Sequence, residues 1–310
     1  MGEHAQSEIT VEAAEEYLRE ARTYDPPPPD FDLFRANERE LAVYGFPRRP
    51  DPETEPRLVE LWERAFAYRH KVVRARLRVS KPLLDWRQSG FGTSGWGGVV
   101  AEPGNYGVSE PANVVYAEWT MPTIDVDPQH PSTPMGVAFW VGLDGYIISH
   151  QVVQAGVAAA VNIGGPSPAR YEAWFEWFPA PPVAIAPQTF PIYQGDRVSV
   201  LVCTPRPDRG FVSMHNKTRG VITNVGFPPP GVASDGTSAE WVVETMTAWS
   251  DELPDFGAVV FLDATAGTKN HVLDLSKATT TEIGGSSGND LTSSSVHGRD
   301  RAVVIWERFS

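Results

Sequence analysis

Only one cysteine, Cys203, stands in the 310 residues, so the chain can form no internal disulfide and no multi-cysteine zinc site. It falls in the strand-like run RVSVLVC, where a thiol is expected to be buried and structural. Long apolar stretches are missing as well: none approaches the ~20 residues that a membrane helix needs. The opening residues, MGEHAQSEITVEAAEEY, hold neither a basic nor an apolar segment, so a secretion signal of the usual kind is not expected and location stays open. Basic residues are the scarcer charge, 26 Lys and Arg against 39 Asp and Glu for a net charge of -13. That balance argues against nucleic acid or an anionic membrane as a partner held through counterion release. The 7 histidines form no HExxH or other close ligand pair, so no metal or other cofactor is expected. GTSGW (92–96) resembles a nucleophile elbow, but Trp96 occupies a position that requires glycine and no helical pattern follows. Serine and metal hydrolases are therefore not expected.

What is present is an ordinary folding composition, 41% hydrophobic and 11% aromatic, enough for one large core. Up to about residue 85 the pattern is helical. TVEAAEEYLREAR reads as a helix capped by Thr10, with Glu12 at the positive end of its dipole. After the break PPPP (26–29), FDLFRANERELAVYG reads as a second helix and LVELWERAFAYRHKVVRARLRV as a third. In the third, Leu58, Leu61, Trp62, Ala65 and Phe66 recur at helical spacing and are expected to pack on something. From Trp86 the period changes to two: NVVYAEWTMP, VAFWVGLDG, HQVVQAGV, RYEAWFEWFP, DRVSVLVCTP, GFVSMHNKT, AEWVVETM, GAVVFLDA and RAVVIWERF are strand-like and bounded by turn residues. Many strands without helices between them imply an all-β antiparallel sandwich, residues 86–310, preceded by a helical extension, residues 1–85.

Alternation along a strand sorts side chains by face. In YEAWFEWFP (171–179), Glu172, Trp174, Glu176 and Phe178 share one side, while Tyr171, Ala173, Phe175 and Trp177 share an apolar other. Carboxylates set among aromatics suit a cleft floor better than a dry core. The same logic groups Glu240, Val242, Glu244 and Met246, and likewise Val152, Gln154 and Gly156.

SGWGG (94–98), YAEWTMP (116–122), FWVGLDG (139–145), VVQAG (152–156), YEAWFEWFP (171–179), HNKTRG (215–220) and AEWVVET (239–245) occur in that order. Together they resemble the glutamic peptidases, or eqolisins. The resemblance implies a concanavalin-like β-sandwich, a polypeptide substrate and a catalytic dyad of one Gln and one Glu, which fall on Gln154 and Glu244. It places Trp140, Asp144, Trp174, Glu176 and Phe178 along the cleft. Where the family usually has S-N-W, an acid soon after Q-T-G, and Asp after the catalytic Glu, this chain has Ser94-Gly95-Trp96, QAGVAAA and Thr245. With a single Cys and no signal it is more similar to the bacterial-type relatives than to the secreted fungal ones.

A carboxylate that takes a proton from water and returns it to the leaving amine, with an amide N–H on the oxyanion, would make an acid-acting endopeptidase. Paired acids on a sandwich also fit a carbohydrate-binding or carbohydrate-cleaving protein, and a non-catalytic peptide-binding relative is a further alternative. The segment 71–81 carries Lys71, Arg74, Arg76, Arg78 and Lys81 and no acid. It is expected either to cover a sandwich face or to act as a prosegment that grips cleft carboxylates and lets go in acid. Oligomeric state is not legible.

Overall fold

The computed structural model describes residues 10–67, 71–88, 95–126, 131–146, 149, 151–163, 167–246, 253–285 and 288–307. Ser94 of the elbow-like stretch and His150 lie outside them.

Among the described residues, four helices occupy the N-terminal part: α1 (Val11–Glu20), α2 (Glu38–Val43), α3 (Pro56–Phe66) and α4 (Lys81–Gln88). Thr10 Oγ1 accepts from the Ala13 amide and starts α1, as its sequence predicts. The second helix is shorter than expected. Asp32 closes a turn of its own by accepting from the Phe34 amide, and the chain becomes helical only where Asn37 and Glu40 form a capping box. The third helix also stops early, at Phe66, although its stripe Leu58, Leu61, Trp62, Ala65 and Phe66 is buried throughout. The reason is legible afterwards: Val73, Ala75 and Leu77 alternate with Arg74, Arg76 and Arg78, a period of two that favours extended chain. The boundary expected after residue 85 falls inside α4.

Three short strands, β1 (Arg22–Thr23), β2 (Lys71–Val72) and β3 (Leu77–Arg78), precede the sandwich. Its strands are β4 (Trp96–Ala101), β5 (Val114–Thr120), β6 (Met135–Leu143), β7 (Val152–Val161), β8 (Arg170–Phe178) and β9 (Val183–Ile185). Then come β10 (Arg197–Arg206), β11 (Arg209–Asn216), β12 (Val221–Phe227), β13 (Ala239–Thr245) and β14 (Ala258–Gly267). The last are β15 (Val272–Leu273), β16 (Thr279–Thr281), β17 (Thr292–His297) and β18 (Arg301–Trp306).

One sheet runs β1-β12-β11-β10-β5-β14-β18-β17, with β2 paired to β12 and β15 to β14; the other runs β16-β4-β13-β6-β7-β8-β9-β3. Their facing sides form the main core, which includes Val99, Phe139, Val141, Phe175, Trp177 and Trp241 from the second sheet and Val115, Val200, Val212 and Val225 from the first. Cys203 is buried, and burial pushes its thiol up to about 12, so it is an unreactive packing group.

The extension is woven into this frame. It adds β1 and β2 to one sheet and β3 to the other. Leu58, Leu61, Trp62 and Phe66 of α3 pack with Tyr116, Leu201 and Ile222 on the outer face of the first sheet. Leu83 and Trp86 of α4 pack on the outer face of the second.

Candidate active site

The outer face of the second sheet carries the residues that alternation grouped. Strand register sets them in rows. One row holds Glu240, Gly142, Gln154 and Glu176; the next holds Val242, Trp140, Gly156 and Trp174; the third holds Trp96, Glu244, Ala138, Ala158 and Glu172. Gln154 and Glu244 therefore lie on the same face, on strands separated by β6.

Trp140 spans the space between them. Its Nε1–H donates to Glu244 Oε2 at 2.9 Å, while the far edge of its ring reaches toward Gln154. Two glycines make that placement possible. A Cβ at Gly142 would come within 2.8 Å of Trp140 Cζ3 and 3.2 Å of Gln154 Cβ, and one at Gly156 would meet Phe139 O at 2.1 Å and Trp140 Cβ at 2.6 Å. Any side chain at either position would move the indole. Trp96 supports the ring from the other side, edge-on at 4.8 Å between centroids.

Gln154 and Glu176 are directly paired across β7 and β8, and Gln154 Nε2 donates to Glu176 Oε2 at 2.6 Å. This contact sets the Nε2 end of the amide toward Glu176. It also leaves the second N–H of Nε2 for another acceptor. Glu176 was expected on the cleft floor as a binding group; the structure places it against the amide of Gln154.

The remaining expected positions divide. Trp174 is fully buried beneath α4, and Phe178 is buried at the margin of the same apolar cluster. Asp144 stands apart. It adopts a left-handed backbone, φ 70, at the end of β6, and its carboxylate accepts from Ser234 Oγ, the Asp235 amide, and the amide and hydroxyl of Thr237. That set ties down the loop leading into β13, so Asp144 supports the strand that carries Glu244. Sequence reasoning did not single out Glu172, which Ser80 Oγ and Arg78 of the extension contact. Burial raises the pKa of Glu172, and Ser80 and Arg78 oppose that rise.

Glu240 shares the Gln154 row. It is fully buried, with neither carboxyl oxygen hydrogen-bonded among the described residues. Burial holds its pKa well above the ordinary carboxylate value; neighbouring Ser238 opposes the rise in part, and the charges of Asp144 and Glu102 add to it. Among the described residues no group of His, Cys, Asp and Glu could hold a metal ion, and no helix is long and apolar enough to cross a membrane. Asn216 of the HNKTRG motif is buried, its amide donating to Pro191 O and Asp196 Oδ2.

Comparison with known proteins bears on the fold and the family. The model of the Peptidase A4 family matches residues 94–306. Aspergillopepsin-2 of Aspergillus niger is 33% identical over 172 residues, which are 54% of this chain and 58% of that protein. The chain thus spans little more than half of that relative's length. The fold is similar to scytalido-glutamic peptidase bound to a transition state analog inhibitor, with a TM-score of 0.57 at 21% identity over 69% of this chain and 98% of that one. It is also similar to SCP-B, an eqolisin in complex with a tripeptide, with a TM-score of 0.54 at 20% identity and the same coverage. A family model that covers most of the sandwich, together with the shared fold, identifies this chain as a member of the Peptidase A4 family, the glutamic peptidases or eqolisins, a family of peptide-bond hydrolases.

Proposed function

We propose that this protein is an acid-acting endopeptidase in which Glu244 activates water and Gln154 stabilises the oxyanion. The observation that carries the reading is the pair of oriented contacts on one sheet face, Trp140 to Glu244 and Glu176 to Gln154. Glu244 acts first as general base, taking a proton from the water that attacks the scissile carbonyl, and then as general acid toward the departing amine. Trp140 holds one oxygen of that carboxylate and so directs it. The Gln154 amide donates to the carbonyl oxygen as negative charge builds there, a contribution of about 3–4 kcal/mol for one preorganised donor. Glu176 is a positioning residue: it keeps the Nε2 end of the amide in place, so little reorientation is needed when the oxyanion forms.

No covalent intermediate is required, because water is the nucleophile and both proton transfers use one carboxyl. The test is incubation of the purified chain with a denatured protein at about pH 3–4, with pepstatin and a metal chelator present. Peptide cleavage under those conditions is expected. Absence of cleavage combined with hydrolysis of a polysaccharide would replace this reading with the carbohydrate one.

A further inference from the structure

The mechanism above uses one titrating group. Glu244 must be ionised to take a proton from water, which limits cleavage on the acid side and sets no limit on the neutral side. An enzyme that works in acid also needs a group that must keep its proton, and the site sheet holds a carboxyl that the mechanism leaves unused.

That carboxyl is Glu240, which shares the Gln154 row with Gly142 and Glu176. Glu240 and Gln154 are both 0% exposed, and neither oxygen of Glu240 nor Oε1 of Gln154 is hydrogen-bonded among the described residues. Register places only Gly142 between the two. The edge of the Trp140 ring takes the space that a side chain there would fill, since a Cβ at Gly142 would come within 2.8 Å of Trp140 Cζ3. Two strand spacings, roughly 9.5 Å, therefore separate Glu240 from Gln154 along the row, with an indole edge lying across the gap. Glu244, four positions along the same strand, is farther off, at roughly 13 Å.

The groups that act on the Glu240 carboxyl are Ser238 just before its own strand, Asp144 just after β6 and Glu102 just after β4. Glu176 in its row and Glu244 on its strand are the other acids of the face. These neighbours bring negative charge or none, and burial works in the same direction, so the uncharged carboxyl is the form that the surroundings favour.

We propose that Glu240 must be uncharged for cleavage and so sets the neutral-side limit of activity, because as a carboxylate it would place a negative charge in the row where Gln154 meets the growing oxyanion. The inference rests on the peptidase reading above and adds control of the same site by pH. Glu240 touches no reacting atom; it acts through the charge that it keeps away from Gln154. A unit charge at roughly 9.5 Å in an effective dielectric of about 20 disfavours a second like charge by about tenfold or somewhat more, so loss of the Glu240 proton should slow cleavage by that factor. Burial together with the charges of Asp144 and Glu102 raises the folded pKa, so the neutral form persists above the ordinary carboxylate range and is lost as pH climbs through the raised value. Glu172 also has a raised pKa, but Ser80 and Arg78 contact it, and it stands two rows from Gln154.

The experiment follows kcat/KM on a denatured protein from about pH 3 to about pH 8, a quantity that reports groups of the free enzyme. In the parent it should fall by about tenfold or more on the neutral side, and in Glu240→Gln that fall should shrink to within about threefold. Glu240→Asp keeps a carboxyl and should keep the fall. Glu102→Gln removes a negative charge that helps Glu240 hold its proton, and should move the fall to lower pH, whereas Glu172→Gln should leave it where the parent has it. The midpoint in the parent should coincide with the pH at which the stability difference between parent and Glu240→Gln stops growing in urea unfolding. A fall of parental size in folded Glu240→Gln, no fall in the parent, or loss of the fall in Glu172→Gln would overturn the inference. If Glu240→Gln does not fold, Glu102→Gln decides, and a midpoint that stays put or rises there overturns it. Cleavage with an unmoved neutral-side limit sinks this inference alone, whereas no cleavage by any form at any pH sinks the peptidase reading and this inference with it.

Discussion

Replacing Glu240 with Gln tests the electrostatics of the site sheet through stability alone. Glu240 is fully buried without a hydrogen-bond partner for either oxygen among the described residues, and burial raises its pKa well above the ordinary value. A carboxyl whose folded pKa is raised lends stability that is fully present below its unfolded pKa and is lost as pH climbs through the folded one. Over that interval the unfolded chain has released one proton that the native chain still holds. The slope is therefore about 1.4 kcal/mol per pH unit. An amide cannot titrate, so in Glu240→Gln this loss is absent, while every other group contributes equally to both proteins. Urea unfolding of wild type and variant at intervals from about pH 4 to 7 should give nearly equal stabilities at the acid end. The variant should then gain by about 1.4 kcal/mol for each unit, until pH passes the folded pKa of Glu240. Parallel curves across the range would show that Glu240 is not held neutral by burial, and would refute the reasoning.

Glu176→Ala removes the acceptor of Gln154 Nε2, and a hydrogen bond is worth about 0.5–1.5 kcal/mol; kcat should fall several-fold, up to roughly tenfold, with little change in KM, whereas a pure KM effect would return Glu176 to substrate binding. Lys217→Ala strips the buried ammonium from buried Glu118 on the first sheet and should cost about 3–5 kcal/mol in denaturant unfolding; a loss under about 1 kcal/mol would mean that half-exposed Arg197 satisfies Glu118 alone. Asp144→Ala releases four hydrogen bonds from the 234–237 loop. Hydrogen exchange should rise there and along β13, and an effect confined to peptide affinity would instead make Asp144 a contact for substrate.

The sandwich was legible because strand alternation is a local signal that buried faces enforce. It grouped Glu240 with Glu244 within one strand, and set Gln154 and Glu176 each with the face-mates of its own strand; that the three groups share one face of one sheet comes from the strand register. What it could not supply was which strands neighbour each other: the contact of Gln154 with Glu176 needs β7 beside β8, and that of Trp140 with Glu244 needs β13 beside β6. The room for the Trp140 ring depends on Gly142 and Gly156 lying on either side of it in space. The hydrogen bonds of Asp144 were hidden for a related reason. Its partners are about ninety positions away, in a loop with no periodic pattern. In the extension, the stripe of α3 was correct because it is amphipathic, while 71–78 was read as a continuation of the helix although its apolar residues already alternate with arginines. The packing of Trp86 against Trp174 had no local signature at all, since α4 there meets a sheet assembled from later strands.

Turnover by the Gln154 and Glu244 variants bears most directly on the peptidase mechanism. It is best measured on a denatured protein at about pH 4. Glu244→Gln should lower kcat/KM by about 10²–10⁴ through loss of the base, and Gln154→Ala by about 10²–10³ through loss of the oxyanion donor, both with melting temperatures close to those of their parents. Activity within a few fold of the parent in either folded variant would contradict the account.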